Sequence, residues 1–431
     1  MATPEFVGAV GRAVQTRIYQ AGALGRRPRV PVSPDRLQRA AQRRMSKAAW
    51  AYVAGSAGQQ RTAQANQEAF RRWQIVPRML RDVSERDNSV ELFGERLPSP
   101  MLLAPIGVLE MVHPGADRAV AEAAAQVGLP MVMSTQASVP MERIARSLGS
   151  AAAWYQLYWS RERELVASFV RRAEAIGSKA IVVTLDTNLL GWRPRDLDLG
   201  HLPFIRGMGI AQYTSDPVFQ DLVRRRAGRP RSATARRAPT PGMVRTLLGL
   251  SRRYPGPFLS NLRGLGPLAA VETFLDVFAN PALTWQDLGF LRELTDLPIV
   301  LKGIQHPDDA RKAVDCGVDG IVVSNHGGRQ VDGAVASLAA LPRVAQAVGG
   351  AVPVLFDSGV RSGADVVKAI ALGATAVMVG RPYVYGLALA GATGVAEVLR
   401  YLMAEFDLTM ALAGCSSVEQ IDAGLLQDER E

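Results

Sequence analysis

From Pro98 onward, short runs of apolar residues alternate with longer segments whose apolar residues recur every three or four positions. The short runs have the composition of buried strands, and the longer segments have the period of amphipathic helices. Strands that alternate with helices form parallel sheets, because each helix returns the chain to the starting edge. The pattern therefore predicts an α/β protein built on a closed (β/α)8 TIM barrel. Its eight strands begin near Met101, Met131, Trp154, Ala180, Ile299, Gly320, Val352 and Ala376.

The residues before the barrel have a different pattern. Residues 1–45 are basic and mostly helical in pattern, and residues 46–73 form a second helical region that contains Tyr52. We therefore divide the chain into a helical segment and lead-in over residues 1–97, which contributes Tyr52, and a barrel over residues 98–431. Helices are predicted between the barrel strands at residues 161–175, 307–314 and 364–372.

One gap in the barrel pattern is too long for a loop. About ninety residues separate the fourth strand from the helical pattern at residues 285–294, whereas most such connections have only a few residues. We interpret residues 197–283 as an insertion. Because the connection that follows a barrel strand emerges at the catalytic face, this insertion is a candidate lid.

The net charge of +10 is concentrated in this insertion. Residues 222–253 contain ten arginines and no acidic residue, with prolines among them, while charges elsewhere balance. A segment this basic is predicted to lie at the surface, either as a solvated flap or as weak contact with anionic lipid or an acidic partner. Aromatic residues do not alternate with the arginines, so the pattern gives little support to nucleic-acid binding.

Composition narrows the class of protein further. The chain has 431 residues, 48% of them hydrophobic, which is enough for one large barrel with additions. Apolar runs as long as a membrane span and a secretion signal are both missing, which predicts a cytoplasmic protein. Cys316 and Cys415 have no metal-ligand spacing, so no metal site is predicted.

Chemistry is expected where the strands end, because barrel enzymes place their catalytic groups there. Residues 320–333 show this best: an apolar strand runs into a glycine-containing loop with His326 and Arg329. A histidine can take a proton near neutral pH, and an arginine can hold a carboxylate through two parallel hydrogen bonds. Other strand ends are also polar, at Pro105, Ile106, Gly107, Ser134, Gln156, Tyr158, Thr184, Asp186, Arg193 and Lys302.

The last two strand ends predict a phosphate site. The sequence DSGVRSG begins at Asp357, and the sequence GRP begins at Gly380. Glycines allow backbone N–H groups to approach phosphate oxygens, a helix N-terminus adds positive charge, and Arg381 supplies a counter-charge. Neither a Rossmann glycine fingerprint nor a P-loop is present, so a bound mononucleotide is the natural ligand.

These motifs, together with LLAPIGV, YQLYW, TLDTNLLGWRPRDL, LKGIQHPDD and SNHGGRQ, resemble the FMN-dependent 2-hydroxy-acid oxidases and dehydrogenases. The resemblance extends over nearly the full chain from about Tyr52. It implies FMN as the cofactor and a tetrameric assembly. The cofactor-binding residues that it implies are Pro105, Ile106, Gly107, Ser134, Gln156, Thr184, Lys302, Ser324, Asp357, Ser358, Gly359, Arg361, Gly380 and Arg381.

The resemblance also implies the roles of the catalytic residues. Arg193 and Arg329, aided by Tyr52 and Tyr158, would hold the carboxylate of a small 2-hydroxy acid. His326 would then take the proton of the 2-hydroxyl group, and Asp186 would orient and stabilise the imidazolium. Lys302 would stabilise the anionic form of the reduced flavin.

The electron acceptor divides the members of this family. Gly107 and the phrase LLAPIGV look most similar to lactate 2-monooxygenase, which uses O2 and releases acetate, because glycine would leave space that alanine fills in relatives. A dehydrogenase that passes electrons to a quinone or carrier is the alternative, and a barrel kept as a binding protein is a third. Gln136 replaces the apolar or aromatic residue usual in the family, which leaves the substrate's side chain open.

Overall fold

The structure is a computed structural model that describes residues 10–228 and 240–429. Its centre is a closed barrel of eight parallel strands, in the order in which they follow one another along the chain. Every predicted strand start lies within two residues of an observed one, so the predicted (β/α)8 barrel is confirmed. The strands are β1 Met101–Leu103, β2 Met131–Met133, β3 Ala153–Leu157, β4 Ile181–Thr184, β5 Ile299–Ile304, β6 Gly320–Val323, β7 Val354–Asp357 and β8 Ala376–Val379.

The barrel interior is a packed core. Side chains from all eight strands fill it, among them the buried Trp154, Val322 and Met378. A hairpin of Val90–Leu92 and Glu95–Leu97 covers the end at which the strands begin, where Phe93 packs against Trp154 with ring centroids 5.4 Å apart. The polar residues predicted from the sequence lie at the opposite end of the barrel, where the strands finish.

An outer layer of helices surrounds the barrel. The predicted helix at residues 161–175 is observed as Arg163–Ala175, and the other two predictions agree equally well. In the described residues, one helix, Arg381–Leu412, is long and apolar enough to cross a membrane by length and composition alone, but most of it is buried in the protein. The crossover helices are Ala116–Val127, Met141–Leu148, Arg163–Ala175, Leu288–Leu294, Pro307–Asp315, Ser337–Val348, Gly363–Ala371 and Arg381–Leu412.

The residues before the barrel are helical, as the sequence predicts. The helices are Val10–Ala23, Pro34–Arg44, Lys47–Ala54 and Arg61–Arg72. Tyr52 lies near the end of the third helix and is buried. A short antiparallel pair, Trp73–Ile75 with Leu426–Asp428, joins this region to the C-terminal end of the chain.

The insertion after β4 is folded onto the barrel rather than extended into solvent. Arg172 on the barrel donates hydrogen bonds to Glu142 and, at 3.1 Å, to Asp216 of the insertion. Phe169 packs edge-on against Tyr213, so the insertion also has an aromatic core. Within residues 222–253, Val223 and Leu250 are buried, but most other described side chains are exposed, as predicted for a surface segment. Residues 229–239 lie outside the described residues. The α-helices between β4 and the end of the insertion are Pro194–Asp198, Ala211–Thr214, Pro217–Ala227, Pro241–Arg253, Phe258–Arg263 and Gly266–Val277.

Asp407 of the last helix is hydrogen-bonded to residues that precede the barrel, and we expect these bonds to stabilise the fold. Its buried carboxylate accepts hydrogen bonds from Arg86 at 2.8 Å, Asn88 at 3.1 Å and the N–H of Gly11 at 2.9 Å. Burial alone would raise the pKa of this carboxyl, but the bonds from Arg86 and Gly11 outweigh burial and lower it. Asp407→Asn should lower the free energy of unfolding by about 3 kcal/mol at neutral pH, because it leaves Arg86 unpaired.

The pH dependence provides the control for this prediction. A carboxyl whose pKa is lowered by folding contributes stability above its unfolded pKa, and this contribution is lost as the pH falls below about 4. In denaturant unfolding, the difference in stability between the wild type and Asp407→Asn should therefore shrink as the pH falls below about 4. Asp315→Asn, at an exposed position, is the matched control. Equal stability of the two variants at neutral pH would contradict the role of Asp407.

Candidate active site

One cavity opens where the barrel strands end, and most of the predicted site residues line it. The members that sequence reasoning missed are mainly Thr187, Leu190, Phe204, Phe278 and Met378. Ser134, Gln156, Asp186 and Ser324 lie behind the lining and hold it in place. The predicted residues that line the cavity are Tyr52, Pro105, Ile106, Gly107, Tyr158, Thr184, Arg193, Lys302, His326, Arg329, Asp357, Ser358, Gly359, Arg361, Gly380 and Arg381.

His326 and Asp186 form a buried pair. The Nδ1 atom of His326 lies 2.7 Å from Oδ1 of Asp186, and Thr187 Oγ1 donates a 3.0 Å hydrogen bond to the same oxygen. The Nδ1–Asp186 contact fixes the ring, so that its other nitrogen is the one available for proton transfer. The backbone of His326 is in the left-handed region at φ 58°, and its N–H donates to Ser324 Oγ at 3.0 Å.

The pKa values of the pair are shifted to suit a base and its partner. Burial lowers the pKa of His326 below its usual 6.5, although Asp186 opposes this shift. Burial would raise the pKa of Asp186, but His326 and Lys302 override it and lower that pKa to about 2. At neutral pH the pair therefore consists of a neutral imidazole and an ionised carboxylate, which is the state of a ready general base.

Lys302 forms a second buried ion pair. Its Nζ lies 3.0 Å from Asp357 Oδ2 and donates to Ser324 Oγ at 2.9 Å. Burial would lower the pKa of this amine, but Asp357 and Asp186 outweigh burial and raise it. Lys302 therefore stays charged beneath the mouth of the cavity.

Two arginines face the cavity close to His326. Arg193 is held by the Gln330 side chain at 2.9 Å, and Arg329 donates to the carbonyl of Gly55 at 2.8 Å and lies over the Tyr52 ring. Burial and the nearby Arg329 charge lower the pKa of Arg193 to about 10. In the described part of the chain neither guanidinium is paired with a carboxylate, so the two arginines form a site for an anion.

The phosphate region is built from backbone at positive φ. Gly359 has φ 99°, and a Cβ there would lie 2.5 Å from the carbonyl oxygen of Asn66, so the position requires glycine. The Nε atom of Arg361 is buried with no hydrogen-bond partner among the described residues. Arg381 lines the same region, but its guanidinium already donates to the carbonyls of Val53 and Gly327, both at 3.0 Å.

Unsatisfied polar atoms test whether a flavin mononucleotide fits. Buried polar atoms without a partner are costly in a protein, so such atoms that face a cavity indicate a ligand. Among the described residues, Gln156 Nε2 and Thr184 Oγ1 lack partners at one side of the site, and Arg361 Nε lacks one at the other. The flavin ring of FMN requires polar partners, which Gln156 and Thr184 can provide, and its phosphate requires a cation, which Arg361 can provide. The residues of the site therefore fit FMN.

Gly107 corrects one expectation. A Cβ at position 107 would lie 2.9 Å from both the Cβ and the carbonyl oxygen of Gln136. The glycine therefore allows two loops to touch, and the expectation that it leaves open space is wrong. Gln136 itself lines the cavity, which supports the concern that it affects the substrate's side chain.

Known proteins match both the sequence and the fold. The model of the FMN-dependent dehydrogenase family matches residues 41–428. The chain belongs to the FMN-dependent dehydrogenase family. It is an FMN-dependent 2-hydroxy-acid oxidoreductase, and the predicted family and cofactor are confirmed.

Individual relatives are similar over almost their whole length. The chain is 40% identical to the FMN-dependent alpha-hydroxy acid dehydrogenase qulF of Penicillium citrinum, over 94% of this chain and 92% of the relative. It is 39% identical to an L-lactate oxidase of Lysinibacillus sphaericus, over 90% and 91% of the two chains. A solved structure of mandelate oxidase with (S)-4-hydroxymandelic acid is 38% identical with a TM-score of 0.75, over 92% and 98%.

Arg361 generates a prediction on cofactor binding in this family member. Arg361→Gln removes the cation whose buried Nε has no partner in the described residues, so FMN should bind about thirtyfold more weakly, as expected for loss of a charged hydrogen bond. Apoprotein titrated with FMN, followed by flavin fluorescence, measures this without turnover. Arg343→Gln, at an exposed position, should bind FMN normally. Equal affinities for the two variants would remove Arg361 from the phosphate site.

Proposed function

We propose that the chain oxidises an L-2-hydroxy acid to the 2-keto acid with His326 as the base and O2 as the electron acceptor. FMN, when bound, accepts the two electrons. The observation that carries the proposal is the pairing of His326 with Asp186 at 2.7 Å, beside two arginines that hold no carboxylate in the described residues.

The substrate's carboxylate is assigned to Arg193 and Arg329. Both guanidiniums are fixed before binding, since Gln330 and the backbone of the Lys47–Ala54 helix hold them. Binding a carboxylate there costs little reorganisation. Tyr52 and Tyr158 line the same wall, and burial raises the pKa of both hydroxyls, Tyr158's to about 12, so each stays protonated and can donate to the substrate.

The substrate's 2-hydroxyl group is assigned to His326. The neutral ring takes the hydroxyl proton on the nitrogen that does not face Asp186, and Asp186 stabilises the imidazolium that results. Lys302 lies beside Asp186 and Asp357 in the floor of the site, where its positive charge would stabilise negative charge on the reduced cofactor.

The substrate's side chain would meet an apolar wall with one polar group. Phe204 and Phe278 from the insertion, together with Leu190, line the cavity, and Gln136 offers an amide. The two phenylalanine rings lie 6.3 Å apart. A mandelate-like or aliphatic 2-hydroxy acid suits this wall as well as lactate does.

Oxygen is supported as the acceptor by the relatives named L-lactate oxidase and 2-hydroxy-acid oxidase. A further possibility is that the product is decarboxylated before its release, as in lactate 2-monooxygenase. Gly107 no longer supports this reaction, because the glycine leaves no open space. The folded insertion still supports it, because Phe204 and Phe278 of the insertion line the cavity. A dehydrogenase with another acceptor stays the alternative. Tetrameric assembly and a cytoplasmic location stay predictions.

Replacement of His326 tests the base. His326→Gln should retain FMN but reduce it with L-lactate or (S)-mandelate at least about a hundredfold more slowly, the low end for loss of general-base catalysis. Anaerobic stopped-flow absorbance of the flavin measures this step. His306→Gln, at an exposed helix N-cap, is the matched control. Near-normal flavin reduction by His326→Gln would exclude the proposed role.

The pH profile tests the pair. Because the pKa of His326 is lowered, the neutral base is fully present above about pH 6.5, so the reduction rate should be level there and fall as the pH decreases through the pKa. Asp186→Asn removes the charge that opposes this lowering. Its acid limb should move to lower pH while the plateau rate falls. An acid limb that moves to higher pH would contradict the assignment.

Products identify the acceptor. Turnover in air should consume O2, and a 2-keto acid with hydrogen peroxide would show an oxidase. Acetate and carbon dioxide from lactate would show the monooxygenase reaction instead. Flavin that is reduced quickly by substrate but reoxidised slowly by O2 would overturn oxygen as the acceptor and favour the dehydrogenase.

A further inference from the structure

Gln136 is a buried polar residue to which the proposed reaction gives no role. It follows strand β2, is 8% exposed and lines the cavity. Its backbone groups are already bonded, since its N–H donates to Ser134 Oγ at 3.0 Å and its carbonyl accepts from the N–H of Val108 at 2.9 Å. In the described part of the chain its side-chain amide makes no hydrogen bond, so both a donor and an acceptor remain for a ligand.

The position of this amide is fixed by close packing. A Cβ at Gly107 would lie 2.9 Å from the Cβ of Gln136, and a Cβ at Gly209 would lie 3.0 Å from its carbonyl oxygen. The N–H of Ala211, in the insertion, donates to the carbonyl of Ala137 at 3.2 Å. Two strand ends and the insertion therefore surround the backbone of Gln136, and the amide can move only by rotation of its own side chain.

The cavity wall beside Gln136 is aromatic. The Cβ that Gly209 lacks would lie 3.3 Å from Cε1 of Phe204, which places that ring next to the glutamine. Phe204 packs on Phe274 with ring centroids 5.0 Å apart, and Phe274 stacks on Phe278 at 4.9 Å. Three rings in mutual contact form a rigid face. A substrate's aromatic ring that packs on this face has its edge beside the amide.

The surroundings of the amide favour a neutral partner. In the described contacts, Gln136 adjoins only uncharged residues, which are Gly107, Val108, Ser134 and Gly209. A second carboxylate on the substrate would be buried here without a counter-ion, which is costly. A hydroxyl group can donate to the amide oxygen or accept from the amide nitrogen, so it suits this position.

We propose that Gln136 selects an aromatic 2-hydroxy acid that carries a neutral hydrogen-bonding group, such as a hydroxyl group, on its ring. The assignment rests on the proposed function, since it places the substrate's carboxylate at Arg193 and Arg329. An unsubstituted ring would displace water from the amide and leave the amide unpaired, whereas a hydroxylated ring would replace the lost hydrogen bond. Gln136 is therefore a specificity-determining residue and takes no part in proton transfer.

Ligands that cannot react test the proposal without turnover. Phenylacetate, 3-hydroxyphenylacetate and 4-hydroxyphenylacetate have the carboxylate and the ring but no 2-hydroxyl group to oxidise. They are titrated into the holoenzyme, and binding is followed by the change in flavin absorbance. At least one hydroxylated ligand should bind about tenfold more tightly than phenylacetate, as expected when a buried amide would otherwise stay unpaired.

Replacement of the amide assigns the preference to Gln136. Gln136→Met keeps an unbranched side chain of similar length but removes its hydrogen-bonding groups. The ratio of the two affinities should fall from about ten to about one. Phe278→Leu is the matched control, because it alters the cavity wall and leaves the amide in place, so it should weaken all three ligands and keep the ratio. Flavin content shows whether each variant is folded.

The same comparison with substrates separates this proposal from the proposed reaction. Rates of anaerobic flavin reduction by (S)-mandelate and its 3-hydroxy and 4-hydroxy derivatives should show the same preference, and Gln136→Met should lose it. Comparison of two variants on one pair of substrates cancels the effect of the ring hydroxyl group on intrinsic reactivity. If the phenylacetates bind with the expected preference but no mandelate reduces the flavin, the reaction fails and the assignment of Gln136 stands.

Two results would overturn the proposal. Equal binding of the three phenylacetates to the wild type shows that the cavity does not recognise a ring hydroxyl group. A preference that persists in Gln136→Met assigns the recognition to another residue. In either case, normal flavin reduction by mandelate would leave the proposed reaction intact.

Discussion

An excess of buried positive charge at the mouth of the barrel constrains the rest of the structure. Lys302, Arg193, Arg329, Arg361 and Arg381 line the cavity. In the described residues, Asp186 and Asp357 are the carboxylates at the strand ends, and Asp196 lies close enough to Arg193 and Arg329 to interact with both. Five cations against three carboxylates leave an excess of two positive charges. Buried charge of this size is costly without counter-ions. A phosphate monoester carries up to about two negative charges and a substrate carboxylate one more, so anionic ligands would supply the missing counter-charge.

The cations are kept in place by backbone carbonyls rather than by acids. Arg329 and Arg381 both donate to the carbonyl of Gly55, at the C-terminal end of the Lys47–Ala54 helix. Carbonyls at a helix end have no partner within the helix and carry partial negative charge. The arginines satisfy them without losing their own charge. In this way the N-terminal segment positions Tyr52 and joins the loop of His326 to the phosphate region.

The parts of this protein that are predictable from sequence are those set by local pattern. Strand β6 and His326 follow one another along the chain, so an apolar run with a polar end locates both. Phe204 and Phe278 are far apart in sequence and meet at the cavity only because the insertion folds back on the barrel. The prediction that Gly107 leaves open space was wrong for the same reason. Gln136 fills the space beside Gly107, and it comes from another strand end. Contacts of this kind depend on tertiary packing, which no periodicity encodes.

The arginines of the cavity and the arginines on the surface of the insertion differ in how strongly solvent screens their charges. Arg193 and Arg329 are screened little, because they lie in the protein, so each acts on one ligand at short range. Arg225, Arg245 and Arg252 of the insertion are exposed, so water and salt screen their charges. The insertion carries these exposed arginines and also supplies Phe204 and Phe278 to the cavity. One folded segment therefore combines a cationic outer surface with part of the cavity wall.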